Sequence, residues 1–568
     1  MLHGLGPFLT QLEKTYPDQL TRVDETVSHE YELSAIAFEY IKRKNSCLLF
    51  ERIKGFDMPL VTNVFGSKDR MALALGVPAD GLYERVSSRI AGKVNPVMVD
   101  GGPVKEVKIE GANVDLEKLF PVPRWFEQDA GRYVTAGLVV AKNLEKTVIN
   151  LMLARMQLKG KNKFGISLHS RGHQYMNLQR AKEAGKPLEV AVVIGAHPAL
   201  YLAAASQIDD EYSAVGSLVG EPIELTKCET VDLEVPSEAE VVLEGEISTT
   251  LEEDEGPFSE YTGYASAGRS TRNVLFVNAV THRRKPVFQS ILPSSSPEHI
   301  MLGSVTRYAK YLELIKSALP TARVKAANWP LAAAQFASFI ALEKPIPGVA
   351  KRLALLIAGV DYWAKLIVIT DETVDVTDFE QVLTALAKHV HHNGRSDLDI
   401  VDKVLFSPLD PSSKEGMQSK MLVDATPKKE PSLAGGKAPE KEALERLKRG
   451  RSIMGVRFPA KCEGLVAYLK AESGDPKQLA SVIYESYPSC RVIIIVDPDI
   501  DLEYSEEVLW AVATHLVPKD DVLLVTEHRD MPRIILDTRK GEGWTAMRST
   551  LPALYKQRAT TLLAKYFR

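Results

Sequence analysis

Glu255-Gly256-Pro257-Phe258-Ser259-Glu260, continuing as Tyr261-Thr262-Gly263-Tyr264, cannot lie inside a helix. Pro257 lacks a backbone N–H and Gly256 is conformationally loose, so the step reads as a turn. On either side of it, Glu240 to Glu246 and Val274 to Thr281 are short runs rich in Val, Leu and Ile, as are Val134 to Ala141, Leu188 to Ile194 and Val231 to Val235. Recurrent short strands with turn signals between them indicate a barrel or a sandwich over residues 116–310. The turn also holds two carboxylates five residues apart. Aimed into one cavity they repel each other, and with burial at least one pKa rises. A carboxylic acid tuned upward is a proton donor near neutral pH. Taken alone, the acidic run Glu252, Glu253, Asp254 and Glu255 reads first as a solvated turn.

Outward from this region the pattern changes. Residues 1–115 mix helical runs (Ser34 to Lys42, and Ser67 to Leu75 with Ser67 as N-cap and Gly76 as stop signal) with strands (Ser46 to Arg52, Val104 to Ile109), an N-terminal α/β region. Beyond 310 helix and strand alternate: Ala350 to Ala358, Leu366 to Thr370, Phe379 to His392. That order implies an α/β layer over 311–427. This layer is repeated. Lys365 to His389 aligns without gaps on Arg491 to His515, with ten of 25 positions identical, Asp371/Asp497 and His389/His515 among them. βα units share patterning, so such a match can arise by chance, but both ends agree and a duplication is favoured. Leu422-Val423-Asp424-Ala425-Thr426 recurs weakly as Ile535-Leu536-Asp537-Thr538. Residues 428–448 read as a linker by composition, which leaves 449–568 as a second, degenerate copy.

Length and composition narrow the function class. A chain of 568 residues is too long for one core, and 45% hydrophobic with 25% charged residues is ordinary for a globular protein. A net charge of −4 shows no basic stripe for nucleic acid. No run of 18 apolar residues suggests a membrane span, and Met1 to Gly6 lacks a basic region leading into an apolar run, so no signal peptide is expected. Cys47, Cys228, Cys462 and Cys490 form neither a CxxC pair nor a disulfide framework, so a reducing cytoplasm is expected.

Further polar residues precede the turn: Asn150 and Arg155 in Asn150-Leu-Met-Leu-Ala-Arg155, then His169-Ser170-Arg171-Gly172-His173, Gly195-Ala196-His197-Pro198 and Asp210-Glu211-Tyr212. In a strand, residues five apart face opposite ways, so one pocket for Asn150 and Arg155 needs a bulge or turn. A carboxamide, an imidazole and a carboxylate suit Mn²⁺ or a similar borderline cation better than a zinc site rich in thiolate. His197 reads as a turn residue. His389, His391 and His392 precede Asn393-Gly394 and read as stabilising a helix C-terminus.

The run from about 90 to 430 resembles the UbiD family of carboxy-lyases, which includes ferulic acid decarboxylase. Six pieces carry the resemblance: Asp129-Ala-Gly-Arg-Tyr-Val-Thr-Ala-Gly137, Asn150 with Arg155, Gly195-Ala-His-Pro198, Lys227-Cys-Glu-Thr-Val-Asp-Leu-Glu-Val-Pro236, Glu255-Gly-Pro-Phe-Ser-Glu260 and Ser419-Lys-Met-Leu-Val-Asp-Ala-Thr426. The resemblance implies a mixed α/β and β multidomain protein whose central split β-barrel, like that of flavin reductases, holds prenylated FMN, a divalent metal (usually Mn²⁺) and K⁺. It implies Asn150, His173 and Glu211 as metal ligands, with His169 an alternative to His173. Arg155, Glu255 and Glu260 match the catalytic Glu–Arg–Glu network. Leu153, Ala154, Leu168, His169, Gly172 and Lys365 join Asn150, Arg155, His173 and Glu211 around the cofactor, and Lys365 looks like the lysine that approaches its phosphate. His169 and Tyr261 are implied on the substrate side.

The chemistry agrees. Removing a carboxylate from an sp² carbon leaves a carbanion that needs an electron sink. No lysine motif for a PLP Schiff base is evident, so a cofactor must supply that sink. Expected partners are a small carboxylic acid, CO₂, a flavin prenyltransferase of the UbiX type and further copies of the chain, as a dimer or a hexamer. The competing function is a non-catalytic scaffold of the same fold that assembles a carboxylase complex. A conventional FMN oxidoreductase ranks last, because a Glu–Arg–Glu set has no role in hydride transfer.

Overall fold

Six apolar runs in the middle of the chain pair edge to edge until none has a free edge. In the computed structural model, Val241–Glu255 pairs with Leu188–Ile194, which pairs in turn with Tyr133–Lys142, Ile149–Gly160, Lys163–Ile166 and Ser270–His282. The last strand then pairs back onto Val241–Glu255. Every pairing is antiparallel, and closure removes the exposed edges that an open sheet of such strands would present. Val139, Met156, Ile166, Val192, Leu243 and Leu275 contribute one side chain from each strand to the same buried core. The structure describes residues 4–142, 148–168, 173–206, 208–265, 270–391, 397–428, 452–525 and 532–567.

The chain divides into two compact units, residues 1–310 with 547–568, and residues 311–546. In the first unit the barrel shares its core with an N-terminal layer. There Leu20–Val27 runs parallel to Cys47–Ile53, which pairs with Leu60–Thr62, and Glu32–Ile41 is a helix. Ser67 caps the helix Lys68–Ala74 through the Arg70 N–H, as its sequence position predicts. The expectation of a mainly β middle region omits the helices His173–Glu183, Pro198–Ala204, Glu211–Val219 and Pro297–Ala318.

The second unit holds two five-stranded sheets of the same topology. Val324–Asn328, Ala337–Leu342, Leu366–Asp371, Met417–Asp424 and Leu398–Leu405 form one; Ile453–Arg457, Val466–Ala471, Val492–Val496, Arg533–Asp537 and Val522–Val525 form the other. Each has the same antiparallel, parallel, parallel, antiparallel sequence of pairings. The helices Phe379–His389 and Ser505–His515 stand at the offset of the sequence repeat. Each copy has a core of its own.

The end of the chain differs from the expectation that 449–568 is wholly the second copy. Met547–Arg548 pairs with Tyr264–Ala265, and the helix Ala553–Leu563 packs on Glu32–Ile41, so the last stretch belongs to the first unit. The physical cause is apolar burial: Leu551, Ala559 and Leu563 lie in the core shared by the barrel and the N-terminal layer.

Barrel closure is tight at Gly245. At Gly245 the register of Val241–Glu255 against Ser270–His282 shifts, and a Cβ there would meet the Phe276 carbonyl oxygen at 1.9 Å. Gly245→Ala is expected to destabilise the protein by at least about 1–3 kcal/mol. A thermal melt checks this, and an unchanged Tm would show that the seam yields freely.

Candidate active site

Arg155 lies on the barrel strand Ile149–Gly160, between Ala154 and Met156, which are buried in the core. Strand alternation turns the guanidinium to the other side. On the neighbouring strand Val134 pairs with Met156 and Gly137 with Ala154, so Thr135 and Ala136 together oppose the single Arg155. This bulge lies on the partner strand, outside the regular stretch from Asn150 to Ala154, so it does not bring Asn150 and Arg155 to one pocket. Asn150 and Arg155 therefore serve two different polar clusters.

The first cluster is built on the turn after Val241–Glu255. Gly256 has φ +87°, a left-handed value that favours glycine, and the Gly256–Pro257 peptide is cis. The turn sets Glu255 and Glu260 on one guanidinium. Arg155 Nε and Nη2 donate to the two Glu255 carboxylate oxygens at 3.2 Å each, and Nη1 donates to Glu260 Oε1. The guanidinium also stacks 5.0 Å from the Phe258 ring. Glu255 and Glu260 are buried. Burial pushes the Glu260 carboxyl above its ordinary range, the Arg155 charge opposes this, and Glu255 adds repulsion. One cation cannot balance two buried anions, so retention of one proton is favoured. Burial disfavours charge on Arg155, but Glu260 and Glu255 more than restore it and hold the guanidinium charged.

Sequence reading assigned no role to the groups that hold this turn. Asp129, at the start of the stretch 129–137, accepts from the Ser259 N–H at 2.8 Å through Oδ1 and from the Phe126 N–H at 3.0 Å through Oδ2. The Ala130 N–H donates to the Pro257 carbonyl at 2.9 Å, and the Tyr133 ring packs 4.7 Å from Phe258. Burial pushes the Asp129 carboxyl up to about 6 despite those donors. Tyr261 is buried, and its ring meets His299 edge-on at 6.0 Å. His299 opens the helix Pro297–Ala318, is held neutral down to about 4 by burial, and has no partner for Nδ1 among the described residues. The 37 residues between Tyr261 and His299 hide that juxtaposition from any local motif.

The second cluster surrounds residues 209–211. Asn150 Nδ2 donates to the Asp209 carbonyl at 2.9 Å and lies 3.4 Å from Glu211 Oε2. His173 Nε2 is 3.6 Å from Asp209 Oδ1. Gln174, next to His173, donates to the Asn150 carbonyl at 2.7 Å and ties the start of its helix to the barrel strand. Glu211 opens the helix Glu211–Val219, is buried, and has no ion-pair partner among the described residues. Burial pushes its carboxyl up to about 8. A divalent cation in place of that proton would settle the buried charge, and an oxygen and nitrogen donor set of this kind fits Mn²⁺. Among the described His, Cys, Asp and Glu side chains no three form a metal cage by themselves, so the set needs Asn150 and a further donor.

Of the other cofactor-side expectations, Ala154 is in the barrel core and Leu153 and Leu168 are half-buried, Leu168 against that core. His169 and Gly172 lie outside the described residues. Lys365 is buried in the second unit, where Nζ donates to Asp410 Oδ2 at 3.0 Å and to Ser412 Oγ at 2.9 Å. Among the described residues no helix is long and apolar enough to cross a membrane.

Because the folded Asp129 carboxyl titrates near 6 and an ordinary aspartate near 3.8, the folded state holds the proton to higher pH. Its contribution to stability is full below about 4 and is lost as pH rises through about 6. Relative to Asp129→Asn, the wild type is expected to lose up to about 3 kcal/mol across that window. Parallel denaturant titrations from pH 4 to pH 7 check this, and identical slopes would exclude it.

Residues 9–90 match the 3-octaprenyl-4-hydroxybenzoate carboxy-lyase N-terminal domain, 96–296 its Rift-related domain, and 300–425 with 436–544 its C-terminal domain. The UbiD-class enzyme HmfF from Pelotomaculum thermopropionicum in complex with FMN is 36% identical, covering 78% of this chain and 99% of its own, at a TM-score of 0.71. An evolved dimeric form of the same enzyme in complex with prFMN is 34% identical, covering 75% and 95%, at 0.68. Vanillic acid decarboxylase from Sedimentibacter hydroxybenzoicus in open form is 30% identical, covering 79% and 99%, at 0.68. With all three of its domains matched in order along the sequence, and a barrel strand that presents Arg155 to Glu255 and Glu260, the chain belongs to the UbiD family of carboxy-lyases.

Proposed function

We propose that this protein catalyses the non-oxidative, reversible decarboxylation of an aromatic, heteroaromatic or α,β-unsaturated carboxylic acid, with prenylated FMN as cofactor. One observation carries the proposal: Arg155 is shared between two buried carboxylates, so the site stores a positive charge and a transferable proton side by side. The relatives that bind FMN and prFMN support the choice of cofactor. When bound, that group would supply the electron sink that side chains lack. The scaffold alternative has no use for a buried, charge-imbalanced Glu–Arg–Glu set.

The chain's own residues then divide the work. Arg155, held by Glu255 on two nitrogens, has its third nitrogen free to exchange Glu260 for a substrate carboxylate. Glu260, released from the guanidinium in a buried site, keeps its proton on a carboxyl oxygen and hands it to the carbon that has lost CO₂. Phe258 and Tyr133 exclude water beside it. Asn150, His173 and Glu211 would hold Mn²⁺, with His169 the alternative nitrogen donor, and the cation would anchor the cofactor phosphate. K⁺, cofactor supply by a UbiX-type prenyltransferase and assembly into homo-oligomers are part of the same proposal.

Glu260→Gln preserves shape and removes the proton. It is expected to lower decarboxylation at least about 10²-fold while flavin binding persists. In the wild type the same step should fade as pH rises through the elevated Glu260 pKa, because the acid is then ionised. A CO₂-release screen of cofactor-loaded protein against aromatic acids tests the whole proposal, and retained turnover by Glu260→Gln would remove Glu260 from its role.

Glu211→Ala and His173→Ala are expected to lower manganese content and flavin retention together, since cation and phosphate bind as one unit. Metal analysis of purified variants decides this. Loss of metal in His169→Ala but not in His173→Ala would transfer the ligand role to His169.

A further inference from the structure

The last stretch of the chain lies beyond residue 544, where the match to the family's C-terminal domain ends, and it returns to the catalytic turn. Met547 and Arg548 pair with Ala265 and Tyr264. The Ser549 N–H donates to the Gly263 carbonyl at 2.9 Å. Gly263 and Tyr264 in turn close the loop onto Glu260: the Glu260 N–H donates to the Tyr264 carbonyl at 3.0 Å, and the Gly263 N–H to the Glu260 carbonyl at 2.9 Å. Thr550 then clasps the segment that holds the other end of the turn. Its N–H donates to Gln128 Oε1 at 2.8 Å, its Oγ1 accepts from Gln128 Nε2 at 2.7 Å, and its carbonyl accepts from the Glu127 N–H at 3.0 Å. Asp129 and Ala130, the next residues, are those bonded to Ser259 and Pro257.

Four residues of the tail thus bridge both ends of the loop that places Glu260. The helix behind them anchors the bridge. Ala559 and Leu563 enter the shared core, Arg558 pairs with Glu32 at 2.7 Å, and the Tyr566 hydroxyl donates to Glu25 at 2.7 Å. The division of labour follows: an apolar anchor on the N-terminal layer and a polar clasp on the turn.

We infer that residues 547–550 are a positioning strap for the Glu255–Glu260 turn, held in place by the helix Ala553–Leu563. Ordering this loop before substrate arrives removes that cost from the reaction, and a small displacement of Glu260 would lengthen its proton transfer. The strap deepens the proposed role of Glu260 and rests on it only for its effect on turnover.

The test uses the full-length protein, both cofactor-free and FMN-loaded. Gln128→Ala removes the two Gln128 bonds to Thr550 and leaves the bond that the Thr550 hydroxyl donates to Glu127 Oε2 at 2.8 Å, whereas Thr550→Val removes the hydroxyl with its Glu127 and Gln128 bonds and Thr550→Ser keeps it. None of these touches the apolar anchor. Hydrogen exchange read by mass spectrometry should show residues 256–265 exchanging at least about tenfold faster in Gln128→Ala and Thr550→Val, with residues 32–41 unchanged and Thr550→Ser close to wild type. On the best substrate of the screen, kcat should fall about tenfold or more with KM and FMN affinity little changed. Unchanged exchange at 256–265, or equal acceleration at 32–41, would overturn the strap and leave the tail a general prop. An altered exchange pattern with turnover intact in Glu260→Gln would keep the strap and reject Glu260 as the acid.

Discussion

One guanidinium between two buried carboxylates is the constraint on which the site depends. Arg155 cannot neutralise both Glu255 and Glu260, and neither acid can reach water to relieve the imbalance. The pair therefore holds one proton more readily than two isolated glutamates would. An arrangement of this kind is costly and stands only if the surrounding structure dictates it. Here the dictating elements are the barrel strand under Arg155, the Gly256-Pro257 turn, and the Asp129 carboxylate that receives Ser259.

Barrel closure and site geometry are the same event. Closing six strands fixes Ile149–Gly160 between two neighbours, and the bulge opposite Arg155 adjusts the strand where the guanidinium leaves it. Asn150, five residues earlier, reaches the start of the helix Glu211–Val219 instead. A single strand thereby supplies Arg155 to the Glu255–Glu260 cluster and Asn150 to the Asp209–Glu211 cluster.

The two five-stranded sheets of the second unit differ in their polar partners. Lys365 and Arg491 occupy equivalent strand starts, yet Lys365 is committed to buried Asp410 and Ser412, whereas Arg491 donates to the Pro532 carbonyl. Burial lowers the Lys365 pKa, and the Asp410 carboxylate opposes that shift. The two sheets share topology while their polar partners differ, as expected when the core pattern alone maintains the fold.

Much of this was legible in the amino-acid order. Leu188–Ile194 and Leu366–Asp371 announce themselves as strands by composition, Ser67 as an N-cap by position, and the repeat by its constant offset. Asn150, Arg155, Glu211, Glu255 and Glu260 were singled out as a set by the resemblance to the UbiD family, because residue type and spacing alone left the acidic runs around Glu211 and Glu255 readable as solvated surface. The helices His173–Glu183 and Glu211–Val219 were not legible, since their polar and small residues lack a clear apolar stripe. Nor were the partnerships of Asp129 with Ser259, Tyr261 with His299, and Gln128 with Thr550, the last 422 residues apart. Local pattern records what a segment prefers and which groups it offers. Which offers are accepted depends on distances that exist only once the barrel has closed and the chain's end has folded back onto it.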